Sequence, residues 1–220
     1  MNRRFDLILF DLDGTLFDTA DTILNTLRAT VKFARLRTLT QEEIGTFIGP
    51  PILDSFKRYY PDLTDDEIDD LAKNYRMYYM EYELLKAKPF PHIPELIKTL
   101  KERGYKIALA TYKLIKCAVP LFDHYDMTKY FDAIKGSVSE KGLTKAEIMT
   151  MAIDECKVKD YDRVCMVGDT EHDLRGSIAN GISFIGVKYG TGFKGLTEEE
   201  KNYSKCVGYV DDPLEILDLV

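Results

Sequence analysis

The chain has 220 residues, 45% hydrophobic and 30% charged, with 14 Tyr and 11 Phe spread along it. A chain of this length buries about 70% of its unfolded surface, and this composition excludes a disordered or low-complexity polypeptide. Thirty-seven acids against 30 bases leave a formal charge of −7, which argues against a general grip on nucleic acid.

The start, Met1-Asn2-Arg3-Arg4-Phe5-Asp6-Leu7, imitates a signal peptide, but Asp6 and Asp11 interrupt its apolar stretch and no small-residue cleavage site follows. No apolar run reaches the ~20 residues of a membrane helix. The first predicted strand is Leu7-Ile8-Leu9-Phe10, which runs directly into Asp11-Leu12-Asp13-Gly14-Thr15. In an extended segment, carboxylates at i and i+2 point to the same side. One can hold metal and attack an electrophile while the other handles protons. Carboxylate attack on phosphorus is an established nucleophilic strategy, and Gly14 permits the sharp turn that follows.

From about residue 17 to 85 the pattern is helical, with no convincing strand. Ile23, Leu27, Val31 and Ala34 share one stripe, and Thr40-Gln41-Glu42-Glu43 and Thr64-Asp65-Asp66-Glu67 fit capping boxes. Tyr75, Tyr78, Tyr79 and Tyr82 recur at helical spacing and read as a packing face. Lys57 and Arg58 follow Ile48-Gly49-Pro50-Pro51; Arg58 is a candidate contact for a substrate carboxylate or second phosphate. The chain returns to strand-and-helix alternation near Pro89-Phe90-Pro91.

Further apolar runs follow at 107–110, 164–167 and 184–187, ending at Thr111, at Gly168-Asp169 and at Lys188. Helical patterns at 94–103, 114–125, 144–155 and 173–179 separate them. Continuous apolar runs suit strands buried on both faces. The alternation predicts an α/β fold, a doubly wound, Rossmann-like parallel sheet with an inserted all-helical domain. Residues 1–16 and 86–220 form the predicted core, and 17–85 the insertion. In such sheets ligands sit beyond the carboxyl ends of the strands. That rule gathers Asp11, Asp13, Thr111, Lys113, Asp169, Asp173 and Lys188 at one edge. Converging carboxylates repel unless a cation is present, and oxygen-only donors select a hard ion such as Mg²⁺.

Thr144-Lys145-Ala146-Glu147 is a third capping box, which sets Lys145 in a first helical turn. A cation there is unfavourable unless an anion shares the site. Gly190-Thr191-Gly192-Phe193-Lys194-Gly195 matches G-x-G-x-x-G after a strand. It reads as a turn-rich loop, because the 30 or so residues of a dinucleotide-binding unit do not follow it. His92, His124 and His172 are scattered. Cys117, Cys156, Cys165 and Cys206 lack paired or metal-ligand spacing and read as reduced thiols, so the expected compartment is the cytoplasm.

Together these residues resemble the haloacid dehalogenase superfamily, and within it the phosphoglycolate phosphatase-like members with a helical cap. Asp11 to Thr19, Ala110-Thr111-Tyr112-Lys113, Lys145 and Gly168 to Asp173 match its four motifs, and Ile48-Gly49-Pro50-Pro51 looks like its cap. Tyr112 departs from the Asn or Ser often found there, and Lys145 lacks the common Lys-Pro form. The resemblance implies a Mg²⁺-dependent phosphatase of small phosphomonoesters, working through an aspartyl-phosphate. It implies that Asp11 is nucleophile and metal ligand, and that Asp13 is general acid and base with its backbone carbonyl on the metal. Asp169 would be the remaining carboxylate ligand, with Asp173 supporting it from behind. Thr111, Lys145 and the Tyr112 backbone N–H would hold the phosphoryl oxygens. The expected partner is a small phosphorylated molecule, with no nucleic acid and no membrane. A phosphomutase and a phospho-accepting signalling module are the alternatives. A mutase would depend on a bisphosphate, and a signalling module would keep a long-lived phosphoryl group.

Overall fold

The computed structural model describes residues 3–48, 50–138 and 143–220. Gly49 of the Ile48–Pro51 segment and the first two residues therefore lie outside the described residues. Two compact units make up the chain: residues 1–18 with 89–220, and residues 19–88.

The larger unit is built on six parallel strands: β1 (Leu7–Phe10), β2 (Lys106–Leu114), β3 (Ala133–Ser137), β4 (Val164–Gly168), β5 (Ser183–Val187) and β6 (Cys206–Val210). Their spatial order is β3-β2-β1-β4-β5-β6. Every residue of β1 is fully buried, so both faces of the sheet are covered, as its uninterrupted apolar sequence requires. Alternation along the strands sorts the side chains. Leu7, Leu9, Ala108, Ala110, Val164 and Met166 share a core with Ile148, Met149, Ala152, Ile153 and Leu174 from two helices, Lys145–Glu155 and Glu171–Asn180. Helices Ile93–Glu102 and Ile115–His124 also pack on β2.

The sequence reading misses β3 and β6. Both are edge strands, partly exposed, and their mixed sequences lack the continuous apolar signature of the inner four. It also ends β2 too early, at Ala110. The strand continues through Thr111, Tyr112 and Lys113, because the sheet carries polar residues onward after its apolar core is filled.

Phe17, placed in the insertion from sequence, is fully buried in the larger unit, with its ring 5.8 Å from Phe122 and 5.5 Å from Tyr125. Phe90 N–H donates to the Leu16 carbonyl (3.0 Å), so the returning chain is sewn to the departing one. The chain accordingly leaves this unit after residue 18 and re-enters it at residue 89.

The smaller unit is helical: α1 (Ala20–Phe33), α2 (Gln41–Gly45), α3 (Ile52–Tyr59) and α4 (Asp65–Tyr78). Thr40 and Thr64 form the expected capping boxes. Leu27, Val31, Phe47, Phe56, Ile68 and Tyr75 lie in its core. Ala34 is exposed, because α1 ends at Phe33 and the stripe stops one turn early. Thr22, Thr26 and Thr30 are buried on α1, each hydroxyl donating to a carbonyl in the preceding turn (2.8, 2.7 and 2.8 Å). Of the tyrosine stripe, Tyr75 and Tyr79 are buried and stacked, whereas Tyr82 is exposed. No helix among the described residues is long and apolar enough to cross a membrane.

Phe56 meets the rings of Phe47, Tyr60 and Tyr75 at centroid distances of 5.6, 6.4 and 6.1 Å. Phe56→Ala is expected to cost about 3–5 kcal/mol, read as a lowered urea midpoint for the helical unit. An unchanged midpoint would show that this cluster does not hold the unit together.

Candidate active site

The strand order reverses at β1. The chain builds outward from β1 to β2 and β3, then crosses back to place β4 on the other side. In sheets of this kind the ligand site lies where the connections diverge, beyond the carboxyl ends of β1 and β4. Asp11 follows β1 and Asp169 follows β4, and because Phe10 pairs in register with Val167, Asp11 stands level with Gly168, one residue before Asp169.

Asp11 continues the Leu7–Leu9 row and therefore faces helix Lys145–Glu155. Its Oδ1 accepts a hydrogen bond from Lys145 Nζ at 2.7 Å, and the same ammonium lies 2.7 Å from Asp173 Oδ1. All three are buried. The Thr144 capping box fixes the start of the lysine's helix: Glu147 N–H donates to Thr144 Oγ1 (3.2 Å) and Thr144 N–H to Glu147 Oε2 (2.7 Å). Asp173 Oδ2 accepts from Thr170 N–H (3.1 Å) and the Thr170 hydroxyl (2.8 Å). A Cβ on Gly168 would stand 2.4 Å from Asp173 Cγ, so only glycine lets that carboxylate lie across the end of β4.

Asp169 is fully buried. The Thr15 hydroxyl donates to its Oδ1 (3.0 Å) and Thr191 N–H to its Oδ2 (2.7 Å). Gly14 has φ +81°, and a Cβ there would lie 2.1 Å from Asp169 Oδ2. The turn inside the first motif is thus possible only without a side chain. The 190–195 segment is a loop, as expected, but it also supplies the Thr191 amide and so helps build the site. Among the described residues, Asp11, Asp169 and Asp173 each bring an oxygen within 4.8 Å of the others.

Asp13 points elsewhere: its Oδ1 accepts from Lys113 Nζ at 2.8 Å. Thr111 is buried within β2, three residues before its end, and its Oγ1 accepts from Lys113 N–H (3.1 Å). Tyr112, one residue on, faces the side of Ala108 and Ala110. One expected residue, Lys188, does not join this group. Lys188 is exposed and pairs with Asp211 (2.9 Å). Arg58 belongs to the helical unit, exposed in the last turn of α3. Sequence reasoning missed Thr15, the Thr191 amide and the Lys113–Asp13 pair as parts of the site. Thr15 lay inside the first motif, and Lys113 had been placed at the right edge. For Thr191 the only signal was a glycine-rich loop after a strand.

The electrostatics are unbalanced. Three buried carboxylates lie beside one ammonium, which pairs with Asp11 and Asp173. Burial, then Asp173 and Asp13, push Asp11 up to about 6, against the pull of Lys145. Burial, Asp173 and Asp11 push Asp169 up to about 7, against the hydrogen bonds from Thr191 and Thr15. Burial pulls Lys145 down, but Asp11 and Asp173 more than offset it and raise it, so the ammonium stays charged. An all-oxygen donor set with uncompensated negative charge fits a hard divalent cation.

A parallel α/β sheet with buried acidic residues at its switch point is an arrangement for metal-assisted chemistry, and similarity to known proteins gives the class as a hydrolase. Residues 8–187 match the family model of haloacid dehalogenase-like hydrolases, and the chain belongs to that family. It is 33% identical over 193 residues to a 5′-nucleotidase of Pseudomonas aeruginosa, covering 86% of this chain and 85% of that protein. Identity is 30% both to a phosphoglycolate phosphatase of Agrobacterium fabrum (84% and 81% covered) and to the pyrophosphatase PpaX of Bacillus pumilus (83% and 82%). A haloacid dehalogenase-like family hydrolase from Streptococcus pneumoniae superposes with a TM-score of 0.84 at 27% identity, covering 98% of both chains.

Asp11 and Asp169 bind protons more tightly folded than unfolded. The stability this confers is complete below their ordinary value near 3.8 and is lost as pH rises through about 6 and about 7. In EDTA the thermal midpoint should therefore fall between about pH 5 and about pH 7.5, and Asp169→Asn should flatten that fall. A wild-type midpoint that rises across this window would contradict the account.

Proposed function

We propose that this chain is a Mg²⁺-dependent phosphatase of small phosphate esters or anhydrides that works through a phosphoryl group carried on Asp11. The observation that supports it most is the buried Asp11–Lys145–Asp173 ion cluster beside Asp169 at the sheet's switch point. The relatives named as nucleotidase, phosphoglycolate phosphatase and pyrophosphatase share one chemistry, transfer of a phosphoryl group to water.

Asp11 and Asp169, with the backbone carbonyl of Asp13, would hold the metal, and Asp173 would support it. When bound, the ion neutralises charge on the phosphoryl oxygens. The protein's own groups do the rest. Lys145 draws one Asp11 oxygen to itself and stays protonated, so it lowers the repulsion that an anionic substrate meets. Thr111, Lys145 and the Tyr112 N–H hold the phosphoryl oxygens. Asp11 attacks phosphorus, the bond to the leaving oxygen breaks, and that oxygen takes a proton from Asp13. Water then gives a proton to Asp13 as its oxygen attacks phosphorus. The bond to Asp11 breaks, phosphate departs, and both carboxyl groups return to their starting states. Lys113 holds the Asp13 carboxylate in its ionised form, the form that takes the proton from water. The helical unit reads the leaving group, with Arg58 as its contact for a second anionic group.

The test is phosphate release from phosphoglycolate, nucleoside monophosphates, sugar phosphates and pyrophosphate, with Mg²⁺ and then with EDTA. At least one compound should be hydrolysed with Mg²⁺ and none with EDTA. Asp11→Asn should be silent on the whole panel; retained turnover in that variant would remove Asp11 as nucleophile. Asp13→Ala should slow the best substrate by about 10²–10⁴-fold, and wild-type rates would remove Asp13 from the proton transfers.

A further inference from the structure

Helix Lys145–Glu155 begins with orphan backbone donors. The Thr144 capping box takes one, the Glu147 N–H. The Lys145 N–H is taken by a side chain from another element: it donates to the Tyr112 phenol oxygen at 3.0 Å, across 33 residues of sequence. The same tyrosine meets the lysine a second time, since Lys145 Nζ lies 5.5 Å from the centre of its ring. On a third side, the His172 ring stands edge-on to it at 5.6 Å. His172 adjoins Asp173, the second carboxylate on that ammonium. Tyr112 therefore touches the backbone and side chain of Lys145, and also the helix that presents Asp173. Its place follows from strand parity: Ala108, Ala110 and Tyr112 face the two helices, while Thr111 and Lys113 face away. Burial pushes the Tyr112 hydroxyl up, against the Lys145 N–H and ammonium, which keeps the phenol neutral.

We propose that Tyr112 is a positioning residue for Lys145, its phenol oxygen pinning the first turn of the helix so that the ammonium stays aimed at Asp11 and the phosphoryl oxygens. This rests on the proposed role of Lys145. An Asn or Ser at position 112 would be too short to make this span.

The experiment is a double-mutant cycle in the full-length enzyme with Mg²⁺ and p-nitrophenyl phosphate, using Tyr112→Phe, Lys145→Met and the double variant. High enzyme concentrations keep the slow variants readable, and thermal midpoints are taken for all four proteins. Tyr112→Phe keeps the ring and loses only the acceptor. It should lower kcat about tenfold, with KM and the midpoint nearly unchanged. In the Lys145→Met background the same substitution should cost nothing further, because no ammonium remains to be aimed. Wild-type kcat in Tyr112→Phe would overturn the proposal. So would equal losses in both backgrounds, or a loss that tracks only a lowered midpoint. Wild-type activity in Lys145→Met would instead overturn the underlying reading of the site.

Discussion

One buried ammonium holds the centre of this molecule. Lys145 sits between Asp11 and Asp173, 2.7 Å from an oxygen of each, where water cannot screen them. Removing three charges from water is expensive, and such clusters seldom add stability over an apolar equivalent. The fold must therefore supply a surplus of apolar burial around them, and it does. The four inner strands and two helices beneath the cluster are filled with fully buried Leu, Ile, Val and Met. The carboxylates at the sheet's polar edge are short of positive charge, a deficit that a bound cation would relieve.

Geometry at the edge depends on omitted atoms as much as on present ones. Gly14 turns the chain sharply away from β1 and leaves room for Asp169; Gly168 leaves room for Asp173. Gly190 lies so near Gly14 that a Cβ would stand 2.2 Å from the Gly14 carbonyl oxygen. Three loops from distant parts of the chain can converge because each gives up a side chain where they meet. Specific hydrogen bonds then replace bulk as the organising force, from Thr15 and Thr191 to Asp169 and from Thr170 to Asp173.

Much of this was legible in the sequence, for physical reasons. Leu7–Phe10 and Val164–Val167 are apolar throughout because both faces are covered, and their terminating residues announce the site. The Thr144 capping box located Lys145 in a first turn, and its unfavourable charge there pointed to neighbouring anions. The edge strands were not legible, since half-exposed strands such as Cys206–Val210 lack a continuous pattern. Nor was the Tyr112 contact, which spans 33 residues and depends on strand parity together with the height of one helix end. Backbone donors such as the Thr191 amide leave no trace in residue identity. The position of Phe17 in the larger unit was hidden for a similar reason, because its partners Phe122 and Tyr125 lie a hundred residues away.

The central claim is that Asp11, one of the two carboxylates Lys145 holds, is the one that takes the phosphoryl group. Rapid acid quenching of the enzyme during turnover of a hydrolysed substrate, followed by mass spectrometry of its peptides, tests that directly. The account predicts one phosphoryl adduct, labile to hydroxylamine, on the peptide carrying Asp11 and absent from Asp11→Asn. An adduct on another residue, or burst kinetics without any adduct on that peptide, would contradict it.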